Sequence, residues 1–553
     1  MSAEAIGIQP PRTGEEQTQR TWLKWHLYLG YIGLAIGGLM GIGQALDRLG
    51  IDVYGTAAMS YFQGLTLHGV TLVIVFTFTF SNSWVALAAM RAFDRPLVNT
   101  RLVIASTLLS AAGVVLAAIP MLLGNATVLF TMYAPLQASF FFYLGATLLV
   151  VGTWVTLAAM LLTRREWKAD NPGRATPLAA YMGIVTYIMW SMASVGIAIE
   201  MLAFLLPWSL GLIETVDPLT TRTLFWMSGH PIVYFWLLPV YISWYLVVPQ
   251  RAGGRLFSDG VVRVVFLMFL LLSTPVGLHH QFTDPGIHQG LKFAHGLMTF
   301  GVFLPSMITA FTLMAGLEDG ARRRGGTGLV GWIRKLPWGD PVATGQLLAM
   351  LGFMLGGISG LINASYTLNL VVHNTSFVPG HFHLTVGTAV TLSIMALTYW
   401  LVPHFTGKSL WNRKAALAQV WIYFVGVLIF SRGQIANGIE GQPRRLHASG
   451  ASFGNEAWAL GDLMTGAGGL LMSVSGVLFF VILGQTLRSK QTATLEEQTL
   501  EFSEFVHDDR SSPAVLDRLG LWTAAAALLV LAAYIPAFIQ QGFDPTSPGF
   551  TFF

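Results

Sequence analysis

The sequence contains no cysteine. Disulfides, iron–sulfur clusters, thiolate metal sites and the C-x-x-C-H type of haem attachment are therefore excluded, and any metal must be held by nitrogen or oxygen. Charge is also scarce: 10% of the 553 residues are Asp, Glu, Lys or Arg, against about 25% in ordinary globular chains. Hydrophobic residues make up 54%, and the mean hydropathy is +0.61. A surface so poor in charge faces lipid rather than water. The first twenty residues are polar, with Arg12, Glu15, Glu16 and Arg20, and lack the apolar core of a secretory signal. The first apolar stretch, Trp25–Leu46, is too long for such a signal and has no small-residue cleavage site after it.

What the sequence has instead is long apolar runs. A hydrocarbon core about 30 Å thick needs roughly 20 apolar residues in a helix. Stretches such as Leu102–Leu122, Phe141–Leu162 and Leu519–Ile539 meet that length. About thirteen such spans are expected, centred near residues 34, 75, 111, 151, 190, 234, 270, 304, 352, 390, 422, 473 and 530. The strands of a spanning β-barrel would be short and alternating, whereas these runs are long and continuous, so the predicted fold is an all-α bundle.

The placement of the basic residues sets the expected orientation. With thirteen spans and the N-terminus inside, only Arg48, Arg222, Lys292, Arg432, Arg444 and Arg445 of the 31 Lys and Arg fall on the outer side. This bias predicts a multi-pass protein of a bacterial-type cytoplasmic membrane with a cytoplasmic N-terminus. It also accounts for the net charge of +4 without nucleic acid. No repeat at a fixed period and no second soluble domain is evident. The expected organisation is one membrane domain over 1–553, with a polar cytoplasmic tail at 1–20 and a cytoplasmic loop at 486–518. The four glutamates of that loop (Glu496, Glu497, Glu501, Glu504) suit a short surface helix.

Six of the thirteen histidines lie within or at the outer ends of predicted spans: His68, His230, His279, His280, His381 and His383. Ionisable groups at membrane depth are costly and usually functional. A lone buried histidine is more often a hydrogen-bonded structural residue, but six in four spans, without matching carboxylates, point to metal, which neutral imidazole binds well. His381 and His383 are two residues apart, a rotation of about 200° on a helix, so they face opposite sides and would serve two cofactors flanking one helix. The adjacent pair His279–His280 follows Ser273-Thr-Pro-Val-Gly277; Pro275 and Gly277 imply a distortion that lets both reach one metal. His230 and Tyr234 are i and i+4, on one face, and Pro231 places His230 at a kink or helix start.

Gly229-His-Pro-Ile-Val-Tyr234, the His279–His280 pair, His381-Phe-His383 and Tyr61-Phe-Gln-Gly-Leu-Thr-Leu-His-Gly69 together resemble subunit I of the haem–copper oxidase superfamily. The flanking text, such as His230-Pro-Ile-Val-Tyr-Phe-Trp-Leu-Leu-Pro239, resembles the B family of cytochrome c oxidases. The resemblance extends across essentially all the spans. It implies a terminal respiratory oxidase that reduces O2 to water and translocates protons, carrying two haems (one low-spin, one high-spin, of b-type and a-type) and one copper ion. His68 and His383 would be axial ligands of the low-spin haem, and His381 the proximal ligand of the high-spin haem. His230, His279 and His280 would bind copper facing it. Tyr234 would be joined covalently to His230 and take part in catalysis by supplying an electron and a proton.

Tyr234, Tyr241 and Tyr245 are at i, i+7 and i+11, within roughly 20° of one line on a helix. That line leads from the site toward the inner face. Ser306 and Thr309 would extend it, with Ser258 near its mouth, and such a proton path is a feature of the B family. The alternative is an ordinary aromatic stripe between helices. Of the 27 Asp and Glu, only Glu200 is placed well inside a span, so a carboxylate-gated second path of the A-family kind is not expected; Glu200 itself is either functional or structural. Arg444, Arg445 and His373 would lie near the haem propionates, since Arg matches carboxylates bidentately. Asn369 stands in the same region where the family carries Asp, which leaves the family's proton-loading role there without its carboxylate.

Without cysteine the chain cannot build a thiolate-bridged dicopper centre. The family pattern implies a partner subunit II that carries one, a small accessory membrane subunit, and a soluble cytochrome c or copper protein as donor. Two other readings compete. A nitric oxide reductase of the same superfamily would replace copper with non-haem iron, add glutamates and lack the linked tyrosine. A secondary transporter would show broken helices and internal repeats.

Overall fold

The computed structural model describes residues 7–8, 13–55, 59–507 and 512–542. Among these residues, twelve helices are long and apolar enough to cross a membrane. A thirteenth, shorter helix stands between the sixth and seventh of them. In chain order they are α1 (Gly14–Arg48), α2 (Tyr61–Phe93), α3 (Thr100–Leu122), α4 (Phe140–Asp170), α5 (Leu178–Ser209), α6 (Pro218–Arg251), α7 (Asp259–Leu272), α8 (Gln289–Arg323), α9 (Pro341–Ala364), α10 (Phe377–Thr406), α11 (Arg413–Ile439), α12 (Glu456–Arg488) and α13 (Leu519–Gln541).

Every expected centre falls inside one of these helices, and only the helix at 270 is shorter than a full crossing. There α7 stops after 14 residues, and Ser273-Thr274-Pro275 interrupts the chain before a 3-10 turn, Gly277–Gln281. Proline cannot donate the hydrogen bond that would continue the helix. The missing length is the distortion that Pro275 implied.

Local sequence explains the helix starts. Asp217 and Asp340 cap α6 and α9 just ahead of Pro218 and Pro341, because proline at the first helical position lacks only an N–H that would be unsatisfied anyway. Ser60 and Gln63 form a reciprocal capping box at α2. Successive helices run in alternate directions. Gln19 near the start of α1 bonds to Leu97 between α2 and α3 and to Thr100 at the start of α3, whereas Arg48 at its end meets Asp462 near the start of α12 at 3.3 Å. The face where α1 begins is called the near face below, and the other the far face.

Residues 1–6 and 9–12 of the expected polar tail lie outside the described residues, and residues 14–20 already belong to α1. The 486–518 segment, of which 508–511 lie outside the described residues, contains the end of α12, one short helix, Leu495–Gln498, and a 3-10 turn, Ala514–Asp517. Between these, two short stretches are extended and pair with other strands. β1 (Gly7–Ile8) pairs antiparallel with β3 (Leu500–Glu501), and β2 (Leu256–Ser258) pairs in parallel with β4 (Phe505–His507). Ser503 anchors the segment on the Leu246 carbonyl of α6.

Three helices carry a π-type widening: α2 at Thr71–Phe76, α5 at Glu200–Leu205 and α10 at His383–Leu392. Such bulges are rare and occur mostly at functional positions. Two of the three adjoin candidate histidines, and the third starts at Glu200. That residue is fully buried, and neither carboxylate oxygen has a hydrogen-bond partner among the described residues.

Candidate metal centre

The six histidines all sit in the far half of the bundle, around one cavity of about 1380 Å³. That exceeds the roughly 300–1,000 Å³ of a site for a single drug-sized ligand. His68, His230, His279, His280, His381 and His383 all line it, together with Tyr234, Ser306, Asn369, His373, Arg444 and Arg445. Tyr241, Tyr245, Thr309 and Ser258 lie outside it, toward the near face.

α10 supplies two imidazoles to two sides. The Nδ1–H of His383 donates to the Pro379 carbonyl one turn back, at 2.8 Å. Its ring faces that of His68 on α2, with centroids 6.4 Å apart and planes 19° from parallel. His68 in turn donates Nδ1–H to the Gly37 carbonyl of α1 at 2.8 Å. With Nδ1 protonated on both rings, each Nε2 keeps its lone pair. Two metal–nitrogen bonds of about 2 Å, plus about 1 Å from each nitrogen to its ring centre, sum to about 6 Å. The observed separation therefore fits one metal ion held between the rings.

His381 turns the other way, toward α9. Ser359 Oγ donates its proton to the Gly356 carbonyl at 2.8 Å, so its oxygen accepts the Nδ1–H of His381 at 2.9 Å. Nε2 is again unprotonated. The ring can sit this close to α9 because residue 360 is glycine: a Cβ there would lie 3.2 Å from His381 Cε1. Gly41 plays the same part for His68, at 3.2 Å.

The third group sits where two helices break. α6 is interrupted at His230, and the 3-10 turn after α7 carries His279 and His280. One nitrogen from each of the three lies within 4.8 Å of the others. Thr299 donates to the His295 carbonyl at 2.6 Å, so its oxygen accepts the Nδ1–H of His279 at 2.9 Å. His280 lies flat on Trp226, with centroids 3.8 Å apart and planes 6° from parallel. His230 Nδ1 approaches His280 Nε2 at 3.3 Å, and His230 Nε2 is buried without a partner. Three imidazole nitrogens converging at this range can share one cation, and imidazole donors suit copper, zinc or iron. Supporting partners of this kind fix the ring tautomers at metal sites. The Tyr234 ring is 4.9 Å from that of His230.

Toward the near face, Tyr245 donates to Thr309 Oγ at 2.8 Å, and Ser306 lies beside Tyr241. The sequence reading stopped at Thr309, but Thr312 continues the row of small hydroxyls on α8 and is buried. Its i+3 spacing from Thr309 was the available signal. Ser258 caps α7 through the Val261 N–H. Thr299, Ser359 and Trp226 were also missed. They support the histidines across helix contacts, which sequence spacing does not encode.

On the far side, Arg444 and Arg445 lie in the turn after α11, with Arg445 in the left-handed region at φ +64°. Among the described residues, Arg445 reaches Thr131 Oγ, at 3.4 Å. Among the described residues neither guanidinium has a carboxylate partner. Burial, and then the Arg444 charge, pulls Arg445 down to about 9. A pair of desolvated cations on a cavity wall lacks anions, which carboxylate groups of a ligand would supply. His373 donates Nδ1–H to Asn369 Oδ1 at 2.8 Å, and Asn369 Nδ2 donates to the Asn363 carbonyl at 2.8 Å. Burial, followed by the Arg444 charge, lowers His373 to about 4, so it is neutral at pH 7.

Residues 21–471 match the family described as cytochrome C and quinol oxidase polypeptide I. The chain is 45% identical to a cytochrome c oxidase subunit 1 of Thermus thermophilus, over 96% of both chains. It is 30% identical to a probable quinol oxidase subunit 1 of Staphylococcus haemolyticus, over 48% of this chain and 37% of that one. Among solved structures, a heme-copper terminal oxidase dimer superposes with a TM-score of 0.91 at 36% identity, covering 97% of this chain and 94% of that one.

Proposed function

The chain belongs to the cytochrome c and quinol oxidase polypeptide I family, and on that premise we propose that it is the catalytic subunit of a terminal respiratory oxidase. It reduces O2 to water with electrons from cytochrome c and couples this to proton translocation. It is a multi-pass membrane protein and works with other subunits. The two haems and one copper ion of the family supply, when bound, the electrons and Lewis acidity for O–O cleavage.

The chain's own residues divide the work. His68 and His383 would hold the low-spin haem, which would serve electron transfer. His381 would hold the high-spin haem, which would supply the O2-binding iron. His230, His279 and His280 would hold copper, with Thr299 keeping His279 Nδ1 protonated and Trp226 fixing the plane of His280. Arg444 and Arg445 would pair with haem propionates. Tyr234, whose ring stands 4.9 Å from that of His230, is positioned to give up its phenolic proton within the cavity. Tyr241, Ser306, Tyr245, Thr309, Thr312 and Ser258 refill that proton from the near face, which is the cytoplasmic side, as the basic residues indicate. A subunit II with a dicopper centre delivers the electrons from a soluble donor, and a small accessory membrane subunit completes the complex.

One observation carries this reading: one nitrogen from each of three histidines converges within 4.8 Å on the same cavity that His381 lines. The test is the iron and copper content of the chain purified free of partners. Iron to copper near two to one supports the oxidase. Iron alone, in excess of haem, indicates the nitric oxide reductase, and neither metal in a folded sample overturns the reading.

A further inference from the structure

The turn that carries His279 and His280 follows the break at Pro275, and two of its N–H groups go to side chains of other helices. Gly277 donates to the Tyr534 hydroxyl of α13 at 2.8 Å. Leu278 donates to Nδ1 of His295 on α8 at 3.3 Å. His295 is therefore the tautomer with Nε2–H, and that group donates to the Ala533 carbonyl of α13 at 3.2 Å. Tyr534 and His295 are both buried, and their rings meet edge-on with centroids 5.2 Å apart and planes at 74°. A buried N–H needs a partner, so these two side chains decide where the turn lies.

The packing leaves no slack around it. A Cβ on Gly277 would lie 2.4 Å from the Tyr534 hydroxyl and 2.0 Å from the Trp226 carbonyl. The turn is thus held between α13 and the residue on which His280 lies flat. On α8, Thr299 donates to the carbonyl of His295 and accepts from the His279 ring, so one helical turn grips both the backbone and the imidazole. α13 also reaches the helix of the third histidine, since Gln541 donates to Thr223 Oγ of α6 at 2.9 Å. The last helix therefore ties together α6, α8 and the turn, the three segments that carry or support the triad.

On the reading of His230, His279 and His280 as copper ligands, we propose that α13 sets the geometry of the triad, with Tyr534 and His295 as positioning residues. Neither touches copper or oxygen. Tyr534 fixes the backbone at Gly277 and His295 fixes it at Leu278, so the two imidazoles that follow leave the chain at set angles. Loss of either side-chain acceptor strands a buried N–H. The turn then shifts to pair it, and His279 and His280 shift with the turn.

The test uses the whole oxidase complex and reads the copper directly. Tyr534→Phe keeps the ring and deletes one acceptor; His295→Leu deletes the other. In both, copper affinity measured by chelator competition should fall about tenfold, the low end of the roughly 10–100-fold lost with supporting partners of metal ligands. The infrared band of carbon monoxide photolysed from haem onto copper should shift and broaden, while the haem optical spectrum stays as in the parent. His295→Asn, whose carbonyl oxygen replaces Nδ1, should recover part of both changes. Val530→Ala trims α13 one turn before Tyr534; it should lower the thermal midpoint and leave the copper band in place. Parental copper affinity and band in Tyr534→Phe and His295→Leu overturn the proposal. So does an equal band shift in Val530→Ala, because α13 then acts through stability alone. A parent complex without copper sinks the reading of the triad and this inference with it; a copper-loaded parent with indifferent variants sinks this inference only.

Discussion

The imidazoles of His68 and His383 face each other across 6.4 Å, 19° from parallel, each fixed by a backbone carbonyl behind it. The gap matches two metal–nitrogen bonds and is held by three helices, α1, α2 and α10. His383→Ala removes one of the two ligands. The low-spin haem absorption should vanish while copper stays at one per chain, read by optical spectroscopy and metal analysis. An unchanged low-spin spectrum would refute the assignment of this pair.

Tyr245 is wholly buried, and its hydroxyl donates to Thr309. Tyr245→Phe deletes that donor without opening a cavity. Turnover should fall by on the order of ten- to a hundredfold, as for a lost proton-transfer group, while the initial rate of O2 or carbon monoxide binding stays the same. Flash photolysis separates the two. Equal slowing of both would mean that the tyrosine supports the site sterically rather than feeding protons to it.

Asn369→Asp places a carboxylate 2.8 Å from His373 Nδ1. An opposite charge favours the protonated ring, so His373 should rise from about 4 by about one to three pH units. In the variant the ring gains its proton at higher pH, and the acid-side change in redox-linked infrared bands should move up accordingly. Isotope-edited difference spectroscopy over pH 3–8 reads this directly. A band that stays put would mean that the two side chains are uncoupled.

The folded pKa of His373 is depressed below the ordinary 6.5. The unfolded chain therefore binds more protons than the native state between about pH 4 and 6.5, and stability rises with pH across that window. His373→Asn, which cannot titrate, should flatten this part of the profile of thermal midpoint against pH. An unaltered slope would count against a buried neutral imidazole here.

Glu200 is buried with both oxygens unpartnered. Replacing a group of this kind with a similarly shaped apolar one relieves about 1–3 kcal/mol. Glu200→Met should thus melt at the same temperature or higher, with turnover intact, if the residue is structural. A lower turnover in an equally stable variant would assign it to proton traffic.

The helical spans were legible because lipid forces each crossing to be long and apolar, and that requirement overrides local preference. The break at Pro275 was legible as well, and it is the reason the seventh crossing is short. The histidines could be read from depth and spacing: a two-residue step turned His381 to Ser359 and His383 to His68. Their partners could not. Thr299 meets His279 across 20 residues and Trp226 meets His280 across 54, and such pairs exist only once the helices pack. The 486–518 segment was legible in part: Glu496 and Glu497 do sit in a short surface helix, Leu495–Gln498, but backbone pairing with β1 and β2 draws 500–501 and 505–507 into extended form.

Phe382 is the only residue between His381 and His383, and its ring lies among Trp236 and Phe130, 5.8 and 6.2 Å away. The two imidazoles are consequently cut from one rigid turn, just where α10 widens into its π segment. A twist of that turn that loosens one grip must tighten or tilt the other. Anyone seeking to retune a single redox potential in this scaffold would do better to leave α10 alone and work from the opposing walls, through Gly37 behind His68 or Ser359 behind His381.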